Sequence, residues 1–262
     1  VKLLRKAAEY WDNFPWFCED ALGFKDLIQP HHDLCTLLQA QPQRALILMP
    51  RYSFKSSVAT IGLALWELIR DNNLRILIYS DTNEKAEGFL TDIKNHILAT
   101  KAHSTFRQTF PQWESDPKKG LWNQSQIIVS ARHDARVEPS IDTAGIETSK
   151  VGMHYDLICF DDIVTEANVT TKEQMDKVAR CYQNALSLLT PTGRVVITGT
   201  RWHFGDLYGR LLKGAETPPL DTERDGWRIY LRSAQEDGQY PFTSIGLTPQ
   251  MLAQQKAAQG TR

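Results

Sequence analysis

Short apolar runs and longer amphipathic stretches alternate along the chain from Arg44 onward. The runs "RALILM", "LRILIYS", "SQIIVSA", "YDLICF" and "GRVVIT" are rich in β-branched residues and predict strands. Apolar residues at spacings of three and four predict helices from Lys55 to Arg70, from about Thr82 to Leu98 and from about Lys172 to Leu189. This alternation is typical of an α/β fold, with a mainly parallel central sheet flanked by helices.

The remaining regions are assigned from the same kind of pattern. Residues 1–43 predict a helical lead-in, and residues 44–262 predict the α/β core. Near the end, "GAETPPLDTERDG" predicts an exposed loop and "GWRIYLRS" a later strand at an edge of the sheet. The chain lacks an initiator methionine and ends in the polar stretch "QQKAAQGTR", so we expect it to be part of a longer protein.

Composition narrows the classes of function. The 262 residues are 42% hydrophobic and carry a formal net charge of −1, which excludes a basic field over the whole molecule. Any contact with nucleic acid therefore requires a local patch or several copies acting together. The four cysteines lack C-x-x-C pairing, which disfavours a metal or disulfide framework. No segment approaches the roughly 20 apolar residues that span a bilayer, so we expect no membrane partner.

The stretch "MPRYSFKSS", residues 49–57, follows the first predicted strand and begins a predicted helix. Unpaired N–H groups and a partial positive charge at a helix start suit a phosphate. In this arrangement Lys55 would reach the β- and γ-phosphates of a nucleotide, Ser56 would bind Mg²⁺, and Arg51 would add charge. In the alternative interpretation Ser53 only caps the helix and the lysine is solvated.

The stretch "YDLICFDDIV" places two carboxylates at the end of a buried strand. Asp161 is positioned to hold Mg²⁺, and Asp162 to act as a base or to orient an attacking water. The alternative is a pair of acids that caps the next helix. The strand "RVVIT" likewise leads into Thr198, Gly199 and Thr200. The hydroxyls of Thr198 and Thr200 could contact the attacking water or the γ-phosphate, unless the three residues only mark the exit of the strand.

Taken in order, these motifs resemble the ATPase domain of the large terminase subunits of tailed phages, over about residues 28–215. "LILMPRYSFKSS" is similar to the family's strand and P-R-G-x-G-K-S loop, "YDLICFDD" to its acidic strand, and "VVITGTRWHF" to its coupling strand. The resemblance implies a P-loop NTPase fold of the ASCE type that binds ATP and Mg²⁺. The stretch "LTPQMLAQQKAAQG" also resembles the segment that leads into the family's C-terminal nuclease domain. That domain would be missing from this chain.

The resemblance also implies roles for individual residues. The adenine side would involve Gln29 or His31, while Lys55 and Asp162 would take part in hydrolysis. A basic finger from a neighbouring subunit would come from Arg132, Arg136, Lys150 or His154, with Arg136 and Lys150 preferred. The residues expected to bind ATP are Gln29, His31, Arg51, Tyr52, Ser53, Phe54, Lys55, Ser56 and Ser57; Ser56 and Asp161 would bind the metal, and Thr198, Gly199 and Thr200 would couple hydrolysis to movement.

The phosphate loop departs from the family pattern because Tyr52 and Phe54 stand where glycine is usual. Residues with a Cβ atom disfavour positive φ, so we expect this loop to follow a different path or to become ordered only with ligand. A degenerate module that does not hydrolyse ATP is therefore one alternative. Another is a helicase-like ATPase, which a chain with a single core disfavours.

The implied partners are those of a DNA-packaging motor. They are double-stranded DNA, a homo-oligomeric ring, usually a pentamer, on the capsid portal, and the small terminase subunit. The implied location is the cytoplasm of the infected bacterial host, on viral procapsids.

Overall fold

The computed structural model describes residues 2–100, 104–113, 120–212, 221–224 and 226–259. Within these ranges eight strands form one sheet, in the spatial order β3-β4-β2-β5-β6-β1-β8-β7. The strands are β1 Arg44–Leu48, β2 Ile76–Ser80, β3 Gln126–Ile127, β4 Ile141–Gly145, β5 Tyr155–Asp161, β6 Leu189–Gly199, β7 Asp221–Arg224 and β8 Trp227–Leu231.

Helices lie on both sides of this sheet. They are α1 Lys2–Trp11, α2 Phe14–Trp16, α3 Gln29–Gln39, α4 Leu63–Arg70, α5 Asn83–Ile97, α6 Phe106–Thr109, α7 Lys172–Leu186, α8 Leu207–Leu211 and α9 Pro249–Gln259. A π-helical turn at Phe17–Ala21 continues α2, and another at Ser57–Gly62 leads into α4. Short 3₁₀ turns occur at Pro111–Trp113, Glu166–Asn168 and Thr243–Ile245. None of the described helices is long and apolar enough to span a bilayer.

The six inner strands of the sheet are parallel, and the short strands β3 and β7 pair antiparallel at its two edges. Strand β6 lies between β1 and β5, pairing Leu48 with Gly199 on one side and Thr198 with Asp161 on the other. The carboxyl ends of these three strands therefore meet at one edge. This order confirms the predicted α/β fold with a mainly parallel central sheet flanked by helices.

Alternation along the strands divides the core into two layers. In β1, Ala45 and Ile47 face the layer covered by α3 and α4, whereas Leu46 and Leu48 face the layer covered by α7 and α8. Every one of these side chains is almost fully buried. Burial on both faces explains why the strands read as nearly continuous apolar runs.

The lead-in packs into the first of these layers. The indole Nε1–H of Trp66 donates to the carbonyl of Tyr10 at 2.8 Å, and the Phe14 ring lies 4.9 Å from the Trp66 ring, centroid to centroid. Farther along, the Tyr230 hydroxyl of β8 donates to the Pro30 carbonyl at 2.7 Å. The lead-in thus shares one hydrophobic core with the sheet from Tyr10 onward, which positions α3 beside the edge where the strands end.

Four strand predictions need correction. The sequence "IDTAG" forms β4, which the pattern missed because Asp142 interrupts it; Asp142 is fully buried and is paired with Lys150 and the Tyr155 hydroxyl. Only two residues of "SQIIVSA" form strand β3. Strand β8 is not at an edge, since it lies between β1 and β7. The "DTER" part of the predicted loop is strand β7, and residues 213–220 lie outside the described ranges.

A buried ion pair closes the amino end of β5. The Arg75 guanidinium forms a two-pronged contact with Asp156, through Nε at 2.9 Å and Nη2 at 2.8 Å, and lies 3.5 Å from Glu138. Burial alone would raise the pKa of Asp156, but the hydrogen bonds from Arg75 outweigh it, and the pKa lies below its ordinary value of 3.8. A carboxylate whose pKa is lowered by folding stabilises the fold fully above its ordinary pKa and loses this contribution as the pH falls through the lowered pKa of the folded state.

We expect Arg75→Met to lower the free energy of unfolding by about 2 kcal/mol near neutral pH, because it leaves a buried carboxylate unpaired. The difference from the unsubstituted protein should begin to shrink at about pH 3, because Asp156 of the unfolded chain is then largely protonated, and it should vanish once the pH has fallen through the lowered pKa of folded Asp156. Urea unfolding at the two pH values measures this. Lys85→Met removes the exposed pair with Asp81 and should cost less than about 1 kcal/mol. A loss for Arg75→Met that is equal at both pH values would contradict the assignment to the ion pair.

Candidate nucleotide-binding site

The loop after β1 lies at the carboxyl edge of the sheet and runs directly into a helix. Lys55 and Ser56 occupy the first helical turn, and the N–H of Val58 donates to the Phe54 carbonyl at 3.2 Å. The predicted order of strand, loop and helix is confirmed. The first N–H groups of this helix have no partner within it, and they face the edge where ligands bind in parallel sheets.

The backbone of this loop is left-handed at two residues that are not glycine. Tyr52 has φ 63° and Phe54 has φ 54°. The expectation that these residues avoid positive φ is therefore wrong: both adopt the left-handed conformation that glycine would favour. A change of order on ligand binding stays a prediction. This conformation is unfavourable for a residue with a Cβ atom because that atom comes too close to the following carbonyl oxygen. The Tyr52 side chain is 71% exposed.

Ser53, between these two residues, is held by its surroundings. Its hydroxyl donates to the Pro50 carbonyl at 2.7 Å, and its own carbonyl accepts from the ring of His31. The residue is 1% exposed. Ser53 thus closes the loop on itself and does not cap the helix.

Lys55 and Asp162 form an ion pair across the edge. Lys55 is 5% exposed, and its Nζ lies 3.2 Å from Oδ2 of Asp162. Asp162 has φ 44°, and its N–H donates to the Thr198 carbonyl at 2.8 Å, which turns the chain sharply at the end of β5. Its Oδ1 is buried and has no partner among the described residues. The Lys55 ammonium and a carboxylate with one unpartnered oxygen therefore lie side by side at this edge.

Asp161 is buried, and both of its carboxylate oxygens accept hydrogen bonds from the helix after the loop. The Ser56 hydroxyl donates to Oδ1 at 2.8 Å, and the Thr60 hydroxyl donates to Oδ2. Burial and the neighbouring Asp162 raise the pKa of Asp161 to about 6, against the two hydroxyls and Lys55, which lower it. A nearby cation would favour the charged form of this carboxylate.

The end of β6 supplies the third side of the site. Thr198 is 1% exposed, and its Oγ1 has no partner among the described residues. A methyl group on Gly199 would overlap the Tyr208 ring, so glycine is required there by close packing. Thr200 donates to the carbonyl of Met49 at 3.2 Å and so joins this strand end to the phosphate loop.

Two open grooves meet at these residues. The first has a volume of about 610 Å³ and is lined by residues 51–57, Asp162 and Ile245. The second, of about 480 Å³, is lined by Ser56, Ser80, Lys85, Gly88, Phe89, Thr91, Asp92, Asp161 and Asp162. A smaller cavity of about 210 Å³ lies between residues 23–27, Phe54 and Ser57. The phosphate loop is therefore bordered by space on three sides.

The structure places the two adenine-side candidates away from these grooves. Gln29 donates to Asp33 at 2.7 Å on the surface of α3. His31 is fully buried, and both of its ring nitrogens are bonded to backbone groups, of Ile28 and Ser53. The His31 ring is thus not available to a base, and the lead-in residues that line the small cavity, residues 23–27, precede both candidates in the chain.

The two preferred finger candidates form ion pairs within the chain. Arg136 contacts Asp134 at 2.9 Å and lies 3.9 Å from Asp156, at the amino edge of the sheet. Lys150 contacts the buried Asp142 at 2.8 Å. Neither side chain lines the grooves around the phosphate loop. A role for either one at the site of a neighbouring copy remains a prediction.

Three other residues complete the site and were not predicted. Thr60 follows Ser56 by four positions on the same helix, so both hydroxyls reach Asp161; this spacing was a signal available in the sequence. Ser80, at the end of β2, donates to the Asp161 carbonyl at 2.9 Å. The third is Trp202, whose ring lies 4.4 Å from the Arg51 guanidinium stacked on it. The two residues are 151 positions apart in the chain, so local spacing could not reveal their contact.

The oxygen atoms around Asp161 fit a magnesium ion. Mg²⁺ prefers hard oxygen ligands and is held by one or two carboxylates together with phosphates and waters. The Ser56 hydroxyl and the Asp161 carboxylate provide such oxygens within one hydrogen bond of each other. Among the described residues no three or more His, Cys, Asp or Glu side chains cluster around a possible metal position, so a fully protein-ligated site is not built there.

Comparison with known proteins points to one group of viral ATPases. The chain is 28% identical over 175 residues to the terminase large subunit of Enterobacteria phage T3, covering 64% of this chain and 28% of that protein. The large terminase ATPase domain of Thermus phage P74-26 has the same fold, with a TM-score of 0.50 at 15% identity over 83% of this chain and 84% of that domain. No family model matches the chain. The predicted resemblance to large terminase subunits is confirmed, and the chain spans little more than a quarter of the length of the T3 protein.

Proposed function

We propose that this chain is the ATP-hydrolysing motor domain of a viral terminase, which moves double-stranded DNA into a procapsid. The observation that supports it is the convergence of Lys55, Ser56, Asp161 and Asp162 at the carboxyl edge of the sheet, beside a loop whose backbone is left-handed at Tyr52 and Phe54. The similarity to the T3 large terminase subunit supports the assignment to DNA packaging.

ATP would bind with its phosphates at the helix start. Backbone N–H groups of the loop and the Lys55 ammonium would contact the phosphate oxygens, and Arg51 lines the same groove. The base would enter the small cavity beside Phe54, which continues from the groove past Ser57. That cavity belongs to the lead-in, which agrees with an adenine-side role for residues 1–43.

Ser56 and Asp161 would hold Mg²⁺, with Thr60 fixing the second oxygen of the carboxylate. When bound, the ion would supply positive charge that offsets the negative charge of the phosphates. Asp162 would accept a proton from the attacking water or orient it. Oδ1 of Asp162 and Oγ1 of Thr198 are buried and lack partners among the described residues. A water could donate to the Asp162 oxygen, and a water or a phosphate oxygen could accept from the Thr198 hydroxyl.

The remaining partners follow from the same proposal. The chain would work in a ring, usually of five copies, on the capsid portal, with the small subunit and a nuclease domain beyond this segment. Arg136 or Lys150 would leave its pair within the chain and reach the γ-phosphate of a neighbour. The machine would act in the host cytoplasm, on procapsids. DNA contact would be directed mainly at phosphates and depend on salt, because a motor must ignore sequence.

We expect double-stranded DNA to stimulate ATP hydrolysis, and the rate per chain to rise with protein concentration as neighbouring copies complete each other's sites. Phosphate release measured across a dilution series, with and without DNA, tests both points. A basic finger contributes about 10³ to 10⁵ in rate, so dilution should have a large effect. A rate per chain that is independent of concentration would contradict a finger from a neighbour, and ATP turnover coupled to strand separation would favour the helicase-like alternative.

The degenerate alternative draws on Tyr52 and Phe54, which replace glycine. This alternative is supported by the missing glycines, because residues with a Cβ atom disfavour positive φ. Tyr52 and Phe54 nevertheless both have a left-handed backbone. The buried pairing of Lys55 with Asp162, and of Ser56 with Asp161, also favours a working site.

A further inference from the structure

We infer that His31 is a positioning residue for the phosphate loop, holding the Ser53 carbonyl so that Tyr52 and Phe54 keep a left-handed backbone. This inference rests on the proposed nucleotide site. The inferred role of His31 differs from contact with adenine. It explains how a loop without glycine maintains a left-handed backbone at two residues.

The first step is the strain in the loop. Tyr52 and Phe54 both have φ between 50° and 65°, and only Ser53 separates them. For residues with a Cβ atom this conformation is unfavourable, and it persists only where surrounding contacts determine the backbone. Two such residues within three positions require restraints at or beside Ser53.

The second step is the state of the His31 ring. The N–H of Ile28 donates to Nδ1 at 3.0 Å, so Nδ1 is an acceptor and the proton lies on Nε2. This Nε2–H donates to the Ser53 carbonyl at 2.5 Å. Burial lowers the pKa of His31, against the Ser53 carbonyl, which raises it, so the ring is neutral near pH 7. One imidazole therefore ties the start of α3 to the middle of the phosphate loop.

The third step is that the ring cannot easily move. His31 is fully buried, with the Phe54 ring at 6.2 Å and the Phe242 ring at 6.3 Å, centroid to centroid. The hydroxyl of Ser53 makes the second restraint, to the Pro50 carbonyl at 2.7 Å. Ser53 is thus held on both sides, while the neighbouring Tyr52 side chain extends into solvent.

A positioning role predicts that the importance of His31 depends on the residue at position 52. Glycine adopts the left-handed conformation without strain, so a loop with Tyr52→Gly needs less restraint. Alanine removes the ring but keeps the Cβ atom and the strain. Because the Tyr52 side chain is 71% exposed, its removal should not disturb the packing of His31.

The experiment measures nucleotide affinity and stability for His31→Leu in three backgrounds: Tyr52, Tyr52→Ala and Tyr52→Gly. Binding is followed with a fluorescent ATP analogue and Mg²⁺, and the free energy of unfolding with urea and no nucleotide. We expect His31→Leu to weaken binding about 10-fold with Tyr52 or Tyr52→Ala, and less than about threefold with Tyr52→Gly. The unfolding data should show the same dependence on the background.

Equal losses in all three backgrounds would overturn the inference, because His31 would then act through packing alone. No loss in any background would overturn it as well. If the unsubstituted chain does not bind the analogue, the proposed function fails, and the unfolding cycle still decides the role of His31. Should His31→Leu not fold, His31→Met in the same three backgrounds removes the same two ring nitrogens with a more adaptable side chain and carries the same expectation.

Discussion

Asp162→Asn should lower the rate of ATP hydrolysis by about 10²-fold or more while leaving the affinity for Mg–ATP within about threefold. A group that accepts or orients a proton in the transition state contributes about 10² to 10⁴ in rate. Asparagine has almost the same shape, but it cannot accept the proton from water. Since Asp162 also pairs with Lys55 at 3.2 Å, its neutral replacement leaves the lysine free to contact phosphate.

The substitution suits the backbone at this position. Asp162 has φ 44°, and asparagine adopts the left-handed region more readily than most residues. The N–H that donates to the Thr198 carbonyl is unchanged. Phosphate release at saturating ATP measures the rate, and a separate titration measures affinity. A rate that is unchanged, or one that falls only in proportion to affinity, would contradict the assignment of Asp162 to the chemical step.

Lys55→Met should weaken the binding of Mg–ATP by at least about 100-fold. Each hydrogen bond to a charged group contributes about 1.5 to 3 kcal/mol, and Lys55 would make such bonds to two phosphates. Methionine keeps much of the length of the side chain, so the packing of this 5% exposed residue is largely retained. Titration with a fluorescent ATP analogue in the presence of Mg²⁺ provides the measurement.

The matched control is Lys85→Met. Lys85 lines the neighbouring groove, and its ammonium pairs with Asp81 at the start of α5. The substitution Lys85→Met removes one positive charge from the same edge of the sheet and leaves the phosphate loop unchanged. The affinity for Mg–ATP should therefore fall by less than about threefold. Similar losses for the two variants would show that only the overall field matters, and would remove the specific role of Lys55.

Much of the fold was predictable because its signals are local. The runs around Leu46, Ile78 and Ile158 are apolar on both faces, and the helix after Ser56 has regular apolar spacing. The positions of Lys55 and Asp161 followed from the rule that parallel strands end at a common edge. These predictions depended on patterns of apolar residues within about ten positions and on the common edge at which parallel strands end.

The misses arose where tertiary contacts override local pattern. Strand β4 contains a buried Asp142 whose charge is balanced by Lys150, eight residues later, a pairing that no periodicity reveals. His31 was expected at the base but contacts Ser53, because the lead-in packs beneath the phosphate loop. Tyr52 and Phe54 were expected to divert the loop, and propensity alone could not anticipate the restraints that hold it.

The most direct test is a calorimetric titration of the unsubstituted chain with ATP, in Mg²⁺ and in EDTA, with Lys55→Met alongside. The account predicts saturable binding of one nucleotide per chain, tighter with Mg²⁺ than without it and strongly weakened in Lys55→Met. Absence of binding to the unsubstituted chain, or equal binding by the variant, would contradict a triphosphate site between the phosphate loop and the end of β5.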